Sequence, residues 1–196
     1  CIRDSMALDP ETLLREAKAL QEELVALRRD IHAHPELGSC EVRTTALIKK
    51  YLEELGIEVR PCTETGVLGI LYGGKPGKTI GLRADIDALP IQEETGLPFA
   101  SKNAGVMHAC GHDLHTASLM GAAKILSAHR DALCGNVKFF FQPDEEGNGG
   151  AERMVRAGCL QGPDVDAVFG GHSSTGRIAG HYGLKYGKTY AASNPF

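Results

Sequence analysis

No CxxC pair occurs among the six cysteines (Cys1, Cys40, Cys62, Cys110, Cys134 and Cys159), which are widely scattered along 196 residues. That excludes a disulfide scaffold and reads as mostly buried free thiols in a reducing, cytoplasmic compartment. No run approaches the ~18 apolar residues of a membrane-spanning helix. Neither half is strongly basic, and 21 Lys plus Arg against 25 Asp plus Glu leave a formal charge of -4. That balance argues against nucleic acid as the partner. Internal repeats and low-complexity stretches are absent. Cys1 to Ala7 holds no signal-like apolar segment, so residues 1–8 read as a leader or disordered lead-in. Aromatics are scarce at 6%, yet hydrophobic residues reach 42%, too many for a disordered chain. The length fits one domain with a real core.

What is present has a clear order. Asp9-Pro10 is a helix start, with a capping carboxylate followed by proline at the first helical position. Leu13, Ala17, Leu20, Leu24, Leu27 and Ile31 then recur at spacings of four and three, predicting one long amphipathic helix. Val42 to Leu55 predicts a second helix, closed by Gly56. Beyond it the period changes. Strands are expected at 57–59, at 67–74 (VLGILYGG) and at 79–86 (TIGLRADI), the last two joined by a Gly/Pro turn. A helix at 114–128, a strand at 137–141, a short helix at 151–157 and a strand at 165–169 follow. This alternation predicts an α/β three-layer sandwich, a mostly parallel mixed sheet with helices on both faces.

Ligand sites in such sheets lie beyond the C-terminal strand ends. Three strands here end in polar clusters: Arg83-Ala84-Asp85-Ile86-Asp87, Gln142-Pro143-Asp144-Glu145-Glu146 and Gly170-Gly171-His172. MHACGHDLHTA (107–117) precedes a helix between the first two. Cys110, His112, Asp113, His115, Glu145, Glu146 and His172 together offer thiolate, imidazole and carboxylate. That donor set suits Zn, Mn, Co or Ni, and not a calcium cage. Two adjacent carboxylates divide their work: one binds metal while the other faces the attacking water. Amide hydrolysis is the chemistry that follows. His34 and His129, near helix ends, are read as structural, and His181 is unassigned.

The stretches RRDIHAHPELG (28–38), GLRADIDALPIQEETGLPFAS (81–101), MHACGHDLHTA (107–117), FQPDEEGNGGAERMV (141–155) and VDAVFGGH (165–172) resemble the metal-dependent amidohydrolases of hippurate, indole-acetyl-amino acids and N-acyl amino acids. These belong to the aminoacylase/carboxypeptidase superfamily. The resemblance implies metal ligation by Cys110, His112, Glu146 and His172, with Glu145 as general base and two divalent ions. Asp85 matches the acid that in related members supports a metal-ligand histidine, and Arg83 stands where those relatives carry that histidine. His115 is implied to lie behind the ligands. Asp144 replaces the usual alanine of this motif, so it either loads charge onto Glu145 or faces away. Family members are roughly twice as long and insert a dimerisation and lid domain. The resemblance therefore implies that residues 9–196 are the N-terminal part of a catalytic domain, homodimeric in full-length members. Its substrate would be a small N-acyl amino acid. A non-catalytic truncated protein that binds metal or a partner, and a carboxypeptidase or dipeptidase of the same superfamily, are the alternatives.

Overall fold

A computed structural model of the chain describes residues 9–147, 149–176, 178–184 and 186–187, so the expected leader over 1–8 lies outside the described residues. The Asp9 carboxylate accepts the N–H groups of Glu11 and Thr12, with Pro10 first in α1 (Pro10–Ala19), as the sequence predicts. The single long helix is in fact two. The Leu20 N–H turns back to the Glu16 and Ala17 carbonyls. α2 (Gln21–Ala33) then starts with no side-chain cap. Leu20 itself stays close to helical, at φ -84° and ψ -3°, so the apolar spacing runs through the joint unchanged. α3 (Val42–Glu54) closes as expected at Gly56, whose φ of 66° is left-handed.

The strands are β1 (Glu58–Pro61), β2 (Val67–Tyr72), β3 (Lys75–Asp85), β4 (Cys134–Gln142) and β5 (Ala167–Gly170). α4 (His112–Ala128) lies between β3 and β4, and α5 (Gly150–Arg156) between β4 and β5. Their order across the sheet is β1-β2-β4-β3-β5. β2 and β3 are thus not neighbours despite the short turn between them, because β4 inserts between them. Both β2 and β4 are strongly apolar and largely buried, and such strands need partners on both edges and cover on both faces. β1–β2 and β2–β4 are antiparallel. β3–β4 and β3–β5 are parallel, and this parallel half carries the polar strand ends.

Alternation divides the core into two layers. Phe139 and Phe141, with Val67 and Leu71, pack beneath α3 and α4 against Ile48, Leu52, Leu119, Met120 and Ala123. Phe140, with Leu68 and Ile70, faces the other way, against Met154 of α5, Cys62 and Cys159. Each buried phenylalanine contributes ~1.5–3 kcal/mol of hydrophobic stabilisation. Helices therefore cover both faces, as the three-layer reading requires. The thiols are free among the described residues, but only Cys62 and Cys159 are buried. Cys40 and Cys134 are exposed and Cys110 is intermediate, so "mostly buried" does not hold. β5 is the open side of the sheet, with Val168 49% and Phe169 61% exposed. No helix among the described residues is long and apolar enough to cross a membrane.

Candidate metal centre

Parallel pairing of β3 with β4 sets Asp85 opposite Gln142, and pairing of β3 with β5 sets Arg83 opposite Gly170. The three strands thus deliver their polar ends to one crevice, into which the N-terminus of α4 also points. The backbone beyond β3 stays extended, with the Ile86 N–H donating to the Gln142 carbonyl. Period two then sends Ile86 into the core and turns both Asp85 and Asp87 toward the crevice. Gly111 precedes α4 with φ 85°, and a Cβ there would lie 2.4 Å from Ser173 Oγ. A side chain at this position would be strained and blocked. The left-handed step lets Cys110 and His112, two residues apart, face the same space.

His112 is fully buried. Its Nδ1 lies 2.9 Å from the Asp87 carbonyl and 3.1 Å from Asp87 Oδ1, so Nδ1 carries the proton. Its Nε2 is buried without a hydrogen-bond partner, and in the neutral ring that atom carries the lone pair. Glu146 Oε1 is 3.8 Å and Glu145 Oε2 3.9 Å from that atom. Cys110 Sγ lies 3.4 Å from His172 Nε2, whose ring is held through Nδ1 donating to the Ser173 carbonyl at 2.6 Å. Two donor groups result, Cys110–His112–His172 and His112–Glu145–Glu146, each with its ligand atoms within 4.8 Å of one another. They share His112.

Asp85, His112 and His115 form a third such group, but two of its members are already engaged. Asp85 Oδ1 accepts from His115 Nδ1 at 2.6 Å, and Asp85 Oδ2 lies 2.6 Å from Arg83 Nη1. His115 Nε2 in turn accepts the Ser173 N–H at 2.8 Å. Burial would raise the Asp85 pKa, but the His115 hydrogen bond and the Arg83 and His112 charges hold it down at about 2. Burial likewise opposes charge on His112, yet the Asp87 hydrogen bond and neighbouring carboxylates push its pKa up. Burial, then the Glu146, Asp85 and Glu145 carboxylates, push the Cys110 thiol up to about 12. Such a thiol stays protonated until a cation arrives.

The structure brings Cys110, His112, Glu145, Glu146 and His172 together. Asp85 pairs with Arg83, which stands at the position where relatives carry a histidine, and supports His115, while Asp87 holds the Nδ1 side of His112. Asp87 Oδ2 also accepts the Glu146 N–H at 2.9 Å, so one buried carboxylate orients both donor elements. Sequence reasoning passed over Asp87, and its signal was the two-residue spacing from Asp85. Asp113 faces away from the donors. It meets Arg28 Nε at 2.7 Å and His32 Nδ1 at 2.7 Å, tying α4 to α2. The structure gives His34 Nδ1 the Asp30 carbonyl at 2.8 Å and His129 Nε2 the Glu16 carboxylate at 2.8 Å, while His181 is exposed.

A metal ion fits this site. The orphaned lone pair of His112 sits between a thiol and imidazole on one side and two carboxylates on the other. That mixed set is one that Zn-type ions take. Fold and donors together define an α/β protein with clustered metal donors at its strand ends. Residues 81–190 match the model of Peptidase family M20/M25/M40, and the chain belongs to that family. It is 46% identical over 194 residues to the N-acetyl-L-cysteine deacetylase of Bacillus subtilis, covering 98% of this chain and 46% of that protein. The N-acyl-L-amino acid amidohydrolase of Geobacillus stearothermophilus is 46% identical over 188 residues, covering 95% of this chain and 50% of that one. The solved structure of the Bacillus subtilis YXEP protein, a dinuclear metal-binding peptidase of family M20, is 50% identical with a TM-score of 0.76. That match covers 80% of this chain and 44% of the YXEP chain. The chain thus spans about half the length of these relatives.

Proposed function

We propose that this chain carries metal-ligating and catalytic residues of an amidohydrolase that cleaves the amide bond of N-acyl amino acids. The observation that carries this reading is the buried, unpartnered Nε2 of His112, which lies among a thiol, an imidazole and two carboxylates. In this reading Cys110, His112, Glu146 and His172 hold two divalent ions of the Zn, Mn, Co or Ni type. Bound ions would supply Lewis-acid polarisation of the scissile carbonyl. Glu145, 40% exposed on its side chain, takes a proton from the attacking water and returns it to the leaving amine. Asp85 and Asp87 do not touch substrate; they hold His115 and His112. The activities that name the N-acetyl-L-cysteine deacetylase and N-acyl-L-amino acid amidohydrolase relatives support an acylated amino acid as substrate. The charge balance supports a small molecule over nucleic acid. Cysteine scatter supports a cytoplasmic location.

One observation favours a second reading, metal binding without turnover: His172 and the whole of β5 are exposed. The deciding experiment measures metal content and hydrolysis of a panel of N-acyl amino acids for wild type and Glu145→Gln. Turnover that falls ~10²–10⁴-fold in the variant, with metal content unchanged, supports the role of Glu145. Equal turnover in the two proteins contradicts it. Bound metal with no hydrolysis in the wild type selects the second reading.

A further inference from the structure

The turn that carries Glu145 and Glu146 starts at a residue under backbone strain. Asp144 has φ 53°, a left-handed value that side chains with a Cβ rarely adopt. Such conformations persist only when the surroundings over-determine them. At Asp144 the surroundings do so on every side. Its N–H donates to Glu41 Oε1 at 2.8 Å, and its carbonyl accepts the Gly150 N–H at 3.1 Å, where α5 begins. Its carboxylate is almost fully buried. There Oδ2 accepts from Ser39 Oγ at 2.8 Å and from Arg153 Nη2 at 2.7 Å. Space for that carboxylate exists because residue 38 is glycine, where a Cβ would lie 2.2 Å from Asp144 Oδ1. Ser39 is itself left-handed at φ 64°. Two of the three described non-glycine residues with positive φ thus hold each other through one hydrogen bond.

The direction of the carboxylate settles the alternatives left by the sequence. Asp144 faces away from the donor cluster, and its charge is matched by Arg153 of α5. The Glu145–Glu146 turn is consequently gripped at two ends. Asp87 takes the Glu146 N–H at the crevice, while Asp144 anchors the rear of the turn to α5 and to the 38–41 segment. We propose that Asp144, clasped by Arg153 and Ser39, is a positioning residue that sets the Glu146 carboxylate for metal binding. The proposal rests on the reading of Glu146 as a metal ligand.

The test is Zn(II) affinity by competition with a chromophoric chelator, for wild type, Asp144→Ala, Asp144→Asn, Arg153→Met and Glu146→Gln, with thermal melting of each. Residues behind metal ligands typically change affinity by ~10–100-fold. Asp144→Ala is expected to weaken Zn(II) about tenfold, at the lower end because Asp144 acts through the turn. Arg153→Met follows in the same direction. Asp144→Asn keeps an oxygen for Ser39 and Arg153 and is expected to recover most of the affinity. With Co(II) at saturation, the thiolate-to-cobalt absorption from Cys110 stays unchanged in Asp144→Ala, because the clamp acts on the glutamate turn alone. Should Asp144→Ala fail to fold, Asp144→Asn and Arg153→Met carry the comparison. Weak binding by Glu146→Gln beside wild-type binding by Asp144→Ala overturns the proposal and leaves the ligand reading standing. Equal losses in Asp144→Ala and Asp144→Asn, with the same fall in melting temperature, mark a purely structural residue and also overturn it. Wild-type binding by Glu146→Gln overturns the ligand reading itself, and the proposal with it.

Discussion

The interior of the sheet and its β5 edge contribute to the same site in opposite ways. From the interior come Asp85, Asp87, His112 and His115, all buried and all locked by named partners. His172 follows from the edge, exposed and held by the adjacent Ser173 carbonyl, beside a strand whose Val168 and Phe169 face solvent. The same residue types therefore have different duties on the two sides. Buried pairs fix orientation before any ligand arrives, and little needs to move when one binds. The edge supplies donor atoms whose placement depends on a strand open along one side, a site for further pairing.

The sharpest way to break that comparison is to make one change at both places. Phe139→Ala, in the interior, is expected to cost about 3–5 kcal/mol of stability, while Phe169→Ala stays within about 0.5 kcal/mol. Urea unfolding of both variants measures the difference, and similar losses would remove it. At the donors, His112→Asn is expected to weaken Zn(II) by about 100-fold or more, since it removes the one fully buried donor atom of the cluster. Asp87→Ala costs ~10–100-fold by freeing that ring. His172→Ala, on the edge, should cost about tenfold, and calorimetric titration of all three would reveal whether the order holds.

The smallest expected effect concerns pH. Burial raises the Glu41 pKa above the ordinary 4.5, against the pull of the Thr65 hydroxyl and main-chain N–H groups. The folded protein thus keeps that proton to a higher pH than the unfolded chain. The corresponding stability is complete below the unfolded carboxylate range and is lost as pH rises through the folded value. Glu41→Gln removes this slope while leaving a carbonyl for the Asp144 N–H. Unfolding curves of both proteins from acid to neutral pH should converge at the acid end and separate toward neutrality, with the variant the more stable. A constant gap would contradict the assignment.

Much of this architecture is legible in the residues. Asp9-Pro10 and Gly56 mark helix ends because capping and left-handed closure are local events, settled within a few residues. The apolar runs of β2 and β4 announce buried strands for the same reason. Pairing partners are not local, so nothing in VLGILYGG or the Gly/Pro turn after it tells that β4 separates β2 from β3. The break at Leu20 is invisible because both helices keep one apolar stripe. In the site, Cys110 and His112 are legible as donors at a helix start, and Glu145, Glu146 and His172 as donors beyond strand ends. Which aspartate serves which histidine is not, because Asp85 and Asp87 share one face and the pairs form only where α4 meets the end of β3. Asp144 left two alternatives in sequence, and Arg153, nine positions on, resolves them in three dimensions.

The central claim, that His112 and Cys110 at the start of α4 bind one metal centre, is tested most directly by titrating the chain with Co(II). The account predicts saturable binding with a thiolate-to-cobalt absorption band, proton release as the high-pKa Cys110 thiol ionises, and loss of that band in Cys110→Ala. Absence of saturable binding, or a band that persists in Cys110→Ala, would contradict it.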